Sequence, residues 1–379
     1  MNIGVIKFGG TSLIEDLKEN VLKIIKDKLI EYDKLIVIVS AIGRNGDNYA
    51  TDTLKNLCIN SSNKEKALLM TVGETISTVI LSDYLNQNKI NSIAVNIIEL
   101  GFNATNEYLN ANVINFNSEY IDNYLLNYDV VIIPGFQGLT CDKQIVTLGR
   151  GGSDLTAVII AHKYKVDYLY IYKDIEGIMN INPKVVKNGT LFKNLSYNFV
   201  INLSFQGSEV INYKAAIKAK KLGVKIKVGS TITGICKTTI SDNKGNNIGF
   251  SFINDLVYLE TNNKELSKIK ELEYIEKYYK YSKTILTKEV FNKLDDIEFI
   301  KKKMVSKIIV LYDLDKTITK ELRRILVNNN IDIISMLNYN DKYIIYIDQE
   351  NFHKSMELIY FYFKGGDNNE NVNCYDNPF

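Results

Sequence analysis

The sequence has no tryptophan, only three prolines and only two histidines in 379 residues. Its four cysteines (Cys58, Cys141, Cys236 and Cys374) lie far apart, with no CxxC pair. Neither a disulfide framework nor a zinc site is indicated, and the cysteines read as small core residues. His162 and His353 both fall in helical patterns and read as structural or solvent-facing. Long apolar runs are missing too. Stretches such as Leu35 to Val39 and Val130 to Ile133 fall far short of the ~20 residues of a spanning helix. With 46 basic and 44 acidic residues the formal charge is only +2, so there is no electrostatic reason to expect nucleic acid or an anionic membrane as partner. The amino terminus, MNIGVIKFGG, reaches a lysine and a glycine pair before any hydrophobic stretch, unlike a secretory signal. Apolar residues at 46% and charged residues at 24% exclude wholesale disorder. A cytoplasmic protein is the simplest expectation.

Two phosphate-binding patterns are also absent. No Gly-Lys dipeptide occurs, which excludes the usual P-loop, and no GxGxxG follows the first strand pattern, which argues against dinucleotide binding. Arginine is scarce as well. Of the 46 cations only Arg44, Arg150, Arg323 and Arg324 are arginines. A chain that places lysine almost everywhere else has a chemical reason for Arg150 in LGRGGSD, since a guanidinium fork binds carboxylate or phosphate in a paired way that lysine does not.

What is present is an alternation of short β-branched runs and helical patterns over the first ~230 residues, the signature of a parallel sheet sandwiched by helices. Strands are expected at Ile3 to Phe8, Lys34 to Val39, Asn91 to Val95, Asp129 to Ile133, Asp167 to Tyr172 and Val224 to Val228. Helices are expected at about 12–30, 64–88, 152–164 and 209–222. Ser12-x-x-Glu15 has the form of a capping box opening the first of these. At ~150 residues per domain the length allows two or three domains. The polar stretch Ser241 to Asn247 reads as a linker after a first domain over 1–240. Residues 248–304 read as two short strands, a Lys/Glu-rich helix from Lys264 to Tyr279 and a second helical stretch, with Tyr274, Tyr278, Tyr279 and Tyr281 packing a helix face. Residues 305–365 read as strand, helix, strand, strand, helix, the core of a ferredoxin-like α+β unit. Residues 366–379 read as a polar tail.

The unusual local sequences fall at the carboxyl ends of strands, where open parallel sheets bind ligands. These are Lys7 to Ser12, Ser40 to Gly43, Pro134 to Gly138 and Lys173 to Gly177. Two glycine pairs, Gly9-Gly10 and Gly151-Gly152, each precede a helical pattern and sit near a cation. Close backbone approach and a helix amino terminus make phosphate the better reading of both. Glu74 follows Gly73 in an otherwise apolar helical segment, where a carboxylate is costly unless paired or facing a cavity. It either lies on a narrow polar face beside Ser77 and Thr78 or is a buried acceptor for a ligand ammonium group.

Taken together, KFGGTS at 7–12, SAIGRNGDNYATDTL at 40–54, TVGE at 71–74, PGFQG at 134–138, TLGRGGSD at 147–154 and KDIEGIM at 173–179 resemble the monofunctional aspartokinases of the amino-acid kinase superfamily. The loop Gly43 to Leu54 most resembles the diaminopimelate-responsive branch of spore-forming Gram-positive bacteria. The C-terminal region is similar to the paired ACT regulatory domains of that family, as diverged units over 248–304 and 305–365. The resemblance implies ATP-dependent phosphorylation of the side-chain carboxylate of L-aspartate to 4-phospho-L-aspartate, at the start of the route to diaminopimelate, lysine, threonine and methionine. It implies Lys7 on the transferring phosphate with Asp154 orienting it, and the amides of Gly9, Gly10 and Gly152 around that phosphate. Thr51, Glu74, Arg150, Gly151, Gly152 and Ser153 would bind substrate. Phe8, Gly9, Gly10, Ser40, Lys173, Asp174, Met179 and Lys184 would form the nucleotide side. Mg²⁺ would be held mainly by ATP phosphates rather than by a protein cage. An amino-acid effector (lysine, threonine or diaminopimelate) and a homodimer through the C-terminal region are further implications.

Some positions depart from the family pattern. Asn180-Ile181-Asn182-Pro183-Lys184 stands where the family has Thr-x-Asp-Pro-Arg, and Glu209 stands where it usually has a lysine near the phosphates. The turn Tyr312 to Lys316 lacks the glycine or proline of an ACT effector site. Glu209 and Lys184 support, as one alternative, a catalytically weak amino-acid-sensing relative. Another small-molecule kinase of the same fold is the nearest rival among enzymes, and the Glu74 and Arg150 pair, suited to a zwitterionic amino acid, argues against it. The turn leaves open a dimerisation scaffold that has lost effector binding.

Overall fold

Runs of Val, Ile and Leu with no internal polar position form strands buried on both faces, as a helix-covered parallel sheet requires. The computed structural model has this arrangement; it describes residues 1–187, 189–205, 211–243, 245–269, 271–294, 297–312, 319–339 and 341–365. Glu209, the turn after Tyr312 and the tail 366–379 lie outside the described residues. By internal contacts the chain forms two compact units, one of 1–179 and 191–245, the other of 180–190 and 246–379.

In the first unit the strands in chain order are β1 (Ile3–Phe8), β2 (Lys34–Val39), β3 (Ser92–Ala94), β4 (Phe102–Ala104), β5 (Val113–Phe116) and β6 (Val130–Pro134). They continue with β7 (Gln137–Leu139), β8 (Ile145–Thr147), β9 (Leu169–Lys173), β10 (Asn194–Ser196), β11 (Ile226–Ser230) and β12 (Cys236–Ser241). The main sheet runs β10-β12-β11-β9-β1-β2-β6-β3, and β5-β4-β7-β8 form a smaller sheet. Among the described strands of the main sheet all neighbours are parallel except β11 with β12. Strand β1 is central, pairing with β2 from Ile3 opposite Lys34 and with β9 from Val5 opposite Leu169. Val5, Ile6, Ile36, Val37, Ile38 and Val39 are fully buried, and each such side chain contributes roughly 1.5–3 kcal/mol. Helices Lys18–Glu31, Val72–Gln87 and Gly152–Lys163 lie between these strands in sequence.

The helical stretch Asn63–Gln87 is, among the described residues, the one long and apolar enough to cross a membrane. It is two helices joined at Thr71, and the second buries Glu74, Ser77, Thr78 and Ser82.

The capping box at Ser12 and Glu15 does not form. Gly10–Leu13 is a short 3-10 turn with no side-chain cap. The Ser12 hydroxyl is buried, donates to the Tyr172 carbonyl at 3.3 Å and accepts from the Thr231 hydroxyl at 2.6 Å. Glu15 instead pairs with Lys18. A tertiary partner outcompetes the local one.

The second unit holds β13 (Ile248–Asn262), β14 (Tyr274–Lys277), β15 (Tyr281–Thr287), β16 (Lys301–Tyr312), β17 (Ile333–Tyr339) and β18 (Lys342–Asp348). They form one antiparallel sheet in the order β14-β15-β13-β16-β18-β17. The β-α-β-β-α reading of 305–365 holds, with helices Thr319–Asn328 and Phe352–Gly365. Leu322, Leu326, Met356 and Ile359 from these helices pack with Ile308, Val310 and Ile345 of the sheet. The same core takes in Ile181 and Val186, and Phe250 donates its amide to the Asn180 carbonyl at 2.7 Å.

The helix expected from Lys264 to Tyr279 is absent. Glu265–Lys268 is one 3-10 turn, and β14 pairs with β15 in a hairpin. Alternating Lys and Glu there imitates helical i,i+4 pairing, yet the Glu276–Lys283 register is cross-strand. The tyrosines therefore line a hairpin, with Tyr278 stacked on Tyr281 at 4.6 Å and Tyr279 exposed.

Candidate active site

Strand β1 ends by carrying Lys7 into a cavity of about 690 Å³ at the carboxyl edge of the main sheet. The cavity collects Lys7, Gly10, Ser40, Thr51, Glu74, Arg150, Gly151, Gly152, Ser153, Asp154 and Lys173, residues that the sequence scatters over 167 positions. Loops after β1, β2 and β6, with Lys173 at the end of β9, supply part of its wall, in keeping with the strand-end rule for parallel sheets.

Lys7 is 5% exposed and Asp154 4%. The Lys7 Nζ lies 2.8 Å from Asp154 Oδ1, and the Lys173 Nζ lies 4.0 Å from Oδ2. The backbone amide of Asn212 donates to Oδ2 at 3.3 Å. Burial alone would push the Asp154 carboxyl up, but the Lys7 and Lys173 ammonium groups outweigh it and hold it at about 2. Asp154 is thus an anion throughout the physiological range, and its contact with Lys7 holds that side chain in place.

Asp154 stands in the first turn of Gly152–Lys163, whose positive end adds to the same field. The helix begins at Gly151, with φ of +72° and no room for a side chain, since a Cβ there would lie 2.1 Å from that of Asn212. Here glycine is required on both grounds.

Glu74, in the first turn of Val72–Gln87, is 2% exposed. Its Oε1 accepts from the Thr51 hydroxyl at 3.5 Å, and among the described residues Oε2 has no hydrogen-bond partner. Burial pushes this carboxyl up to about 8, against the lowering effect of nearby backbone amides, Thr51 and Lys7. Of the two readings the sequence left open, the structure places Glu74 in the wall of the cavity, with an acceptor oxygen unused. Gly73 makes the approach possible, because a Cβ there would meet the Tyr49 carbonyl at 2.4 Å.

Several expected positions sit differently. The Phe8 side chain lies in the core stacked on Tyr172, so only its backbone is near the site. The Gly9 amide donates to the Tyr172 carbonyl at 3.1 Å and the Gly152 amide to the Gly149 carbonyl at 2.9 Å. Of the three glycine amides expected around a phosphate, only that of Gly10 has no such partner among the described residues. Gly9-Gly10 leads into a four-residue 3-10 turn rather than a full helix, so the helix-dipole argument applies to Gly151-Gly152 alone. Asp174 pairs with Arg44. Met179 bridges Leu191. Lys184 belongs to the other compact unit, with its amide donating to Asn182 Oδ1 at 2.9 Å. Residues that sequence reasoning passed over also line the cavity. Arg44 carried the same signal of scarcity as Arg150. Phe136, held at φ of +73°, lay within the PGFQG motif without being assigned a role, and Asn212 carried no signal. A bulky residue in the left-handed region is strained backbone at a site wall.

The amino acid kinase family model matches residues 2–230, and the chain belongs to that family. It is 35% identical over 262 residues to Aspartokinase 1 of Bacillus subtilis (strain 168), covering 68% of this chain and 65% of that relative. It is 32% identical over 238 residues to an aspartokinase of Geobacillus stearothermophilus, covering 61% of this chain and 57% of that one. The aligned part therefore spans less than two thirds of the length of these relatives. Among solved structures, Clostridium acetobutylicum aspartate kinase superposes with a TM-score of 0.74 at 20% identity, covering 97% of this chain and 100% of that one. E. coli aspartokinase III in complex with aspartate and ADP gives 0.73 at 15% identity, covering 96% and 100%. At such identities the likeness establishes the fold.

Proposed function

We propose that this chain transfers the γ-phosphoryl group of ATP to the side-chain carboxylate of L-aspartate. The observation that carries the reading is the convergence in one cavity of the shielded Lys7–Asp154 pair, Arg150 and the unpartnered oxygen of Glu74. A carboxylate oxygen of aspartate attacks the γ-phosphorus. The bond from that phosphorus to the bridging oxygen breaks, and ADP leaves with the electron pair. The products are 4-phospho-L-aspartate and ADP, and no proton need be moved.

Such a transfer asks the protein for position and charge rather than for a covalent partner. Lys7, held in place by Asp154, faces the transferring group and offsets its charge. The Gly10 amide adds a donor. Glu74 accepts from the ammonium of aspartate and the Arg150 fork grips its α-carboxylate, so both charged ends of an amino acid are read. Thr51, Gly151, Gly152 and Ser153 close round the substrate, while Ser40, Lys173, Asp174 and Met179 face the nucleotide. Lys184, as the resemblance implies, would join the nucleotide side.

Mg²⁺ would enter on the nucleotide. Among the described residues no cluster of three or more His, Cys, Asp or Glu could cage it, and Asp154 is held by two lysines. When bound to the phosphates, the ion supplies further charge neutralisation there.

We further propose a cytoplasmic location, an amino-acid effector read by the C-terminal unit, and pairing of two copies through that unit. The test of the central reading is direct. Purified protein with Mg·ATP, aspartate and hydroxylamine gives aspartyl hydroxamate. ATP consumption equal with and without aspartate would sink it, and adding lysine, threonine or diaminopimelate to the same assay identifies the effector.

A further inference from the structure

Two of the four arginines in a lysine-dominated chain, Arg44 and Arg150, line the same cavity. Arg150 is absorbed by substrate recognition. Arg44 is not, and its position is unusual. It lies on the loop after β2, and its Nη2 pairs with Asp174 Oδ2 on the loop after β9. Strands β2 and β9 flank β1 on opposite sides. A side-chain bridge between their following loops must therefore cross the carboxyl end of β1, where Lys7 and Gly10 stand. Neighbouring strands are ~4.8 Å apart, so the span is within an extended arginine's reach.

We propose that Arg44 is a further catalytic residue, a guanidinium that leaves Asp174 for the γ-phosphoryl oxygens when nucleotide is bound. This inference rests on the phosphoryl-transfer reading, though not on the identity of the acceptor. The Arg44 side chain is 69% exposed and that of Asp174 37%. An exposed ion pair of this kind is held weakly and exchanges readily. A phosphoryl group offers the same planar pair of acceptor oxygens with more charge, and the fork suits both. Charge on those oxygens is redistributed as the bond from phosphorus to the bridging oxygen of ADP breaks and the bond to the acceptor oxygen forms. An arginine supplied at that moment favours the transition state over the ground state.

The experiment compares the wild type with Arg44→Ala and Arg44→Lys, both at an exposed position that does not carry the core. Turnover by Arg44→Ala is expected to fall by roughly 10²–10³-fold with the ATP KM within about threefold, and Arg44→Lys to recover only part of it. Calorimetric binding of a non-hydrolysable ATP analogue should stay within about threefold of wild type. Binding of ADP with fluoroaluminate, a mimic of the group in flight, should weaken by at least about tenfold. Equal fluoroaluminate affinity in wild type and Arg44→Ala overturns the proposal, as does a loss confined to the ATP KM with kcat intact. The fluoroaluminate arm needs no aspartate. Should wild type fail to phosphorylate aspartate while Arg44→Ala still loses that affinity, the substrate reading falls and the role of the arginine stands.

Discussion

The Nζ of Lys7 and Oδ1 of Asp154 lie 2.8 Å apart, and each residue comes from the first shielded turn or strand end beside the cavity. Two opposite charges taken out of water together are tolerated; either one alone is not.

Lys7→Met is therefore expected to abolish turnover and also to lower stability, by about 3–5 kcal/mol, because Asp154 is left with a charge and only the more distant Lys173 to answer it. Replacing both, as Lys7→Met with Asp154→Leu, should restore much of the stability and none of the activity. Urea unfolding and the hydroxamate assay on the three proteins check this. The Asp154 carboxyl is held below its ordinary 3.8 at about 2, so the pair's contribution is present above 3.8 and lost as pH falls through about 2. Asp154→Asn should lack that acid limb.

Glu74 behaves in the opposite sense. Its folded carboxyl is raised from 4.5 to about 8, so the folded chain keeps a proton that the unfolded chain gives up near 4.5. Stability is then intact below 4.5 and lost as pH rises through about 8. Glu74→Gln should escape this loss, with a Tm that exceeds wild type by a margin growing from pH 5 to pH 9. The same variant should bind aspartate roughly 10–100-fold more weakly. In wild type, gripping an ammonium group requires the ionised carboxylate, so aspartate binding at pH 7 should release close to one proton. Titration calorimetry in buffers of different ionisation enthalpy reads that number, and no buffer dependence would remove Glu74 from the ammonium.

Arg150→Lys keeps the charge and loses the fork. The aspartate KM should rise about 10–100-fold while the ATP KM holds steady. A rise in both by the same factor would place Arg150 on the nucleotide instead.

The strands that set this geometry were legible in the chain because their cause is local. Ile3–Phe8 and Lys34–Val39 run as expected to the residue, since short runs rich in Val and Ile read as strands. Where the cause is distant, reading failed. Nothing near Ser12 tells that its hydroxyl serves the Tyr172 carbonyl 160 positions away. Lys264 to Tyr279 has the charges of a helix and the partners of a hairpin. In the site, Lys7 and Asp154 were paired through family likeness alone, and their 2.8 Å contact gives that likeness a physical ground. Glu74 was visible as a carboxylate among apolar neighbours, while its empty oxygen was not. Arg44 was as conspicuous as Arg150 by rarity, and only the order of β9, β1 and β2 shows what it spans.

Residues 180–190 leave the first unit and return to it, having lent Ile181 and Val186 to the core of the second. The chain is thus stitched rather than strung: it passes between its halves three times, not once. Severing the backbone near 240 would yield a fragment with two greasy side chains stripped of their nest, and a remainder with a hole where they had been. Shortened versions of this protein must either carry both halves or rebuild that excursion with polar residues.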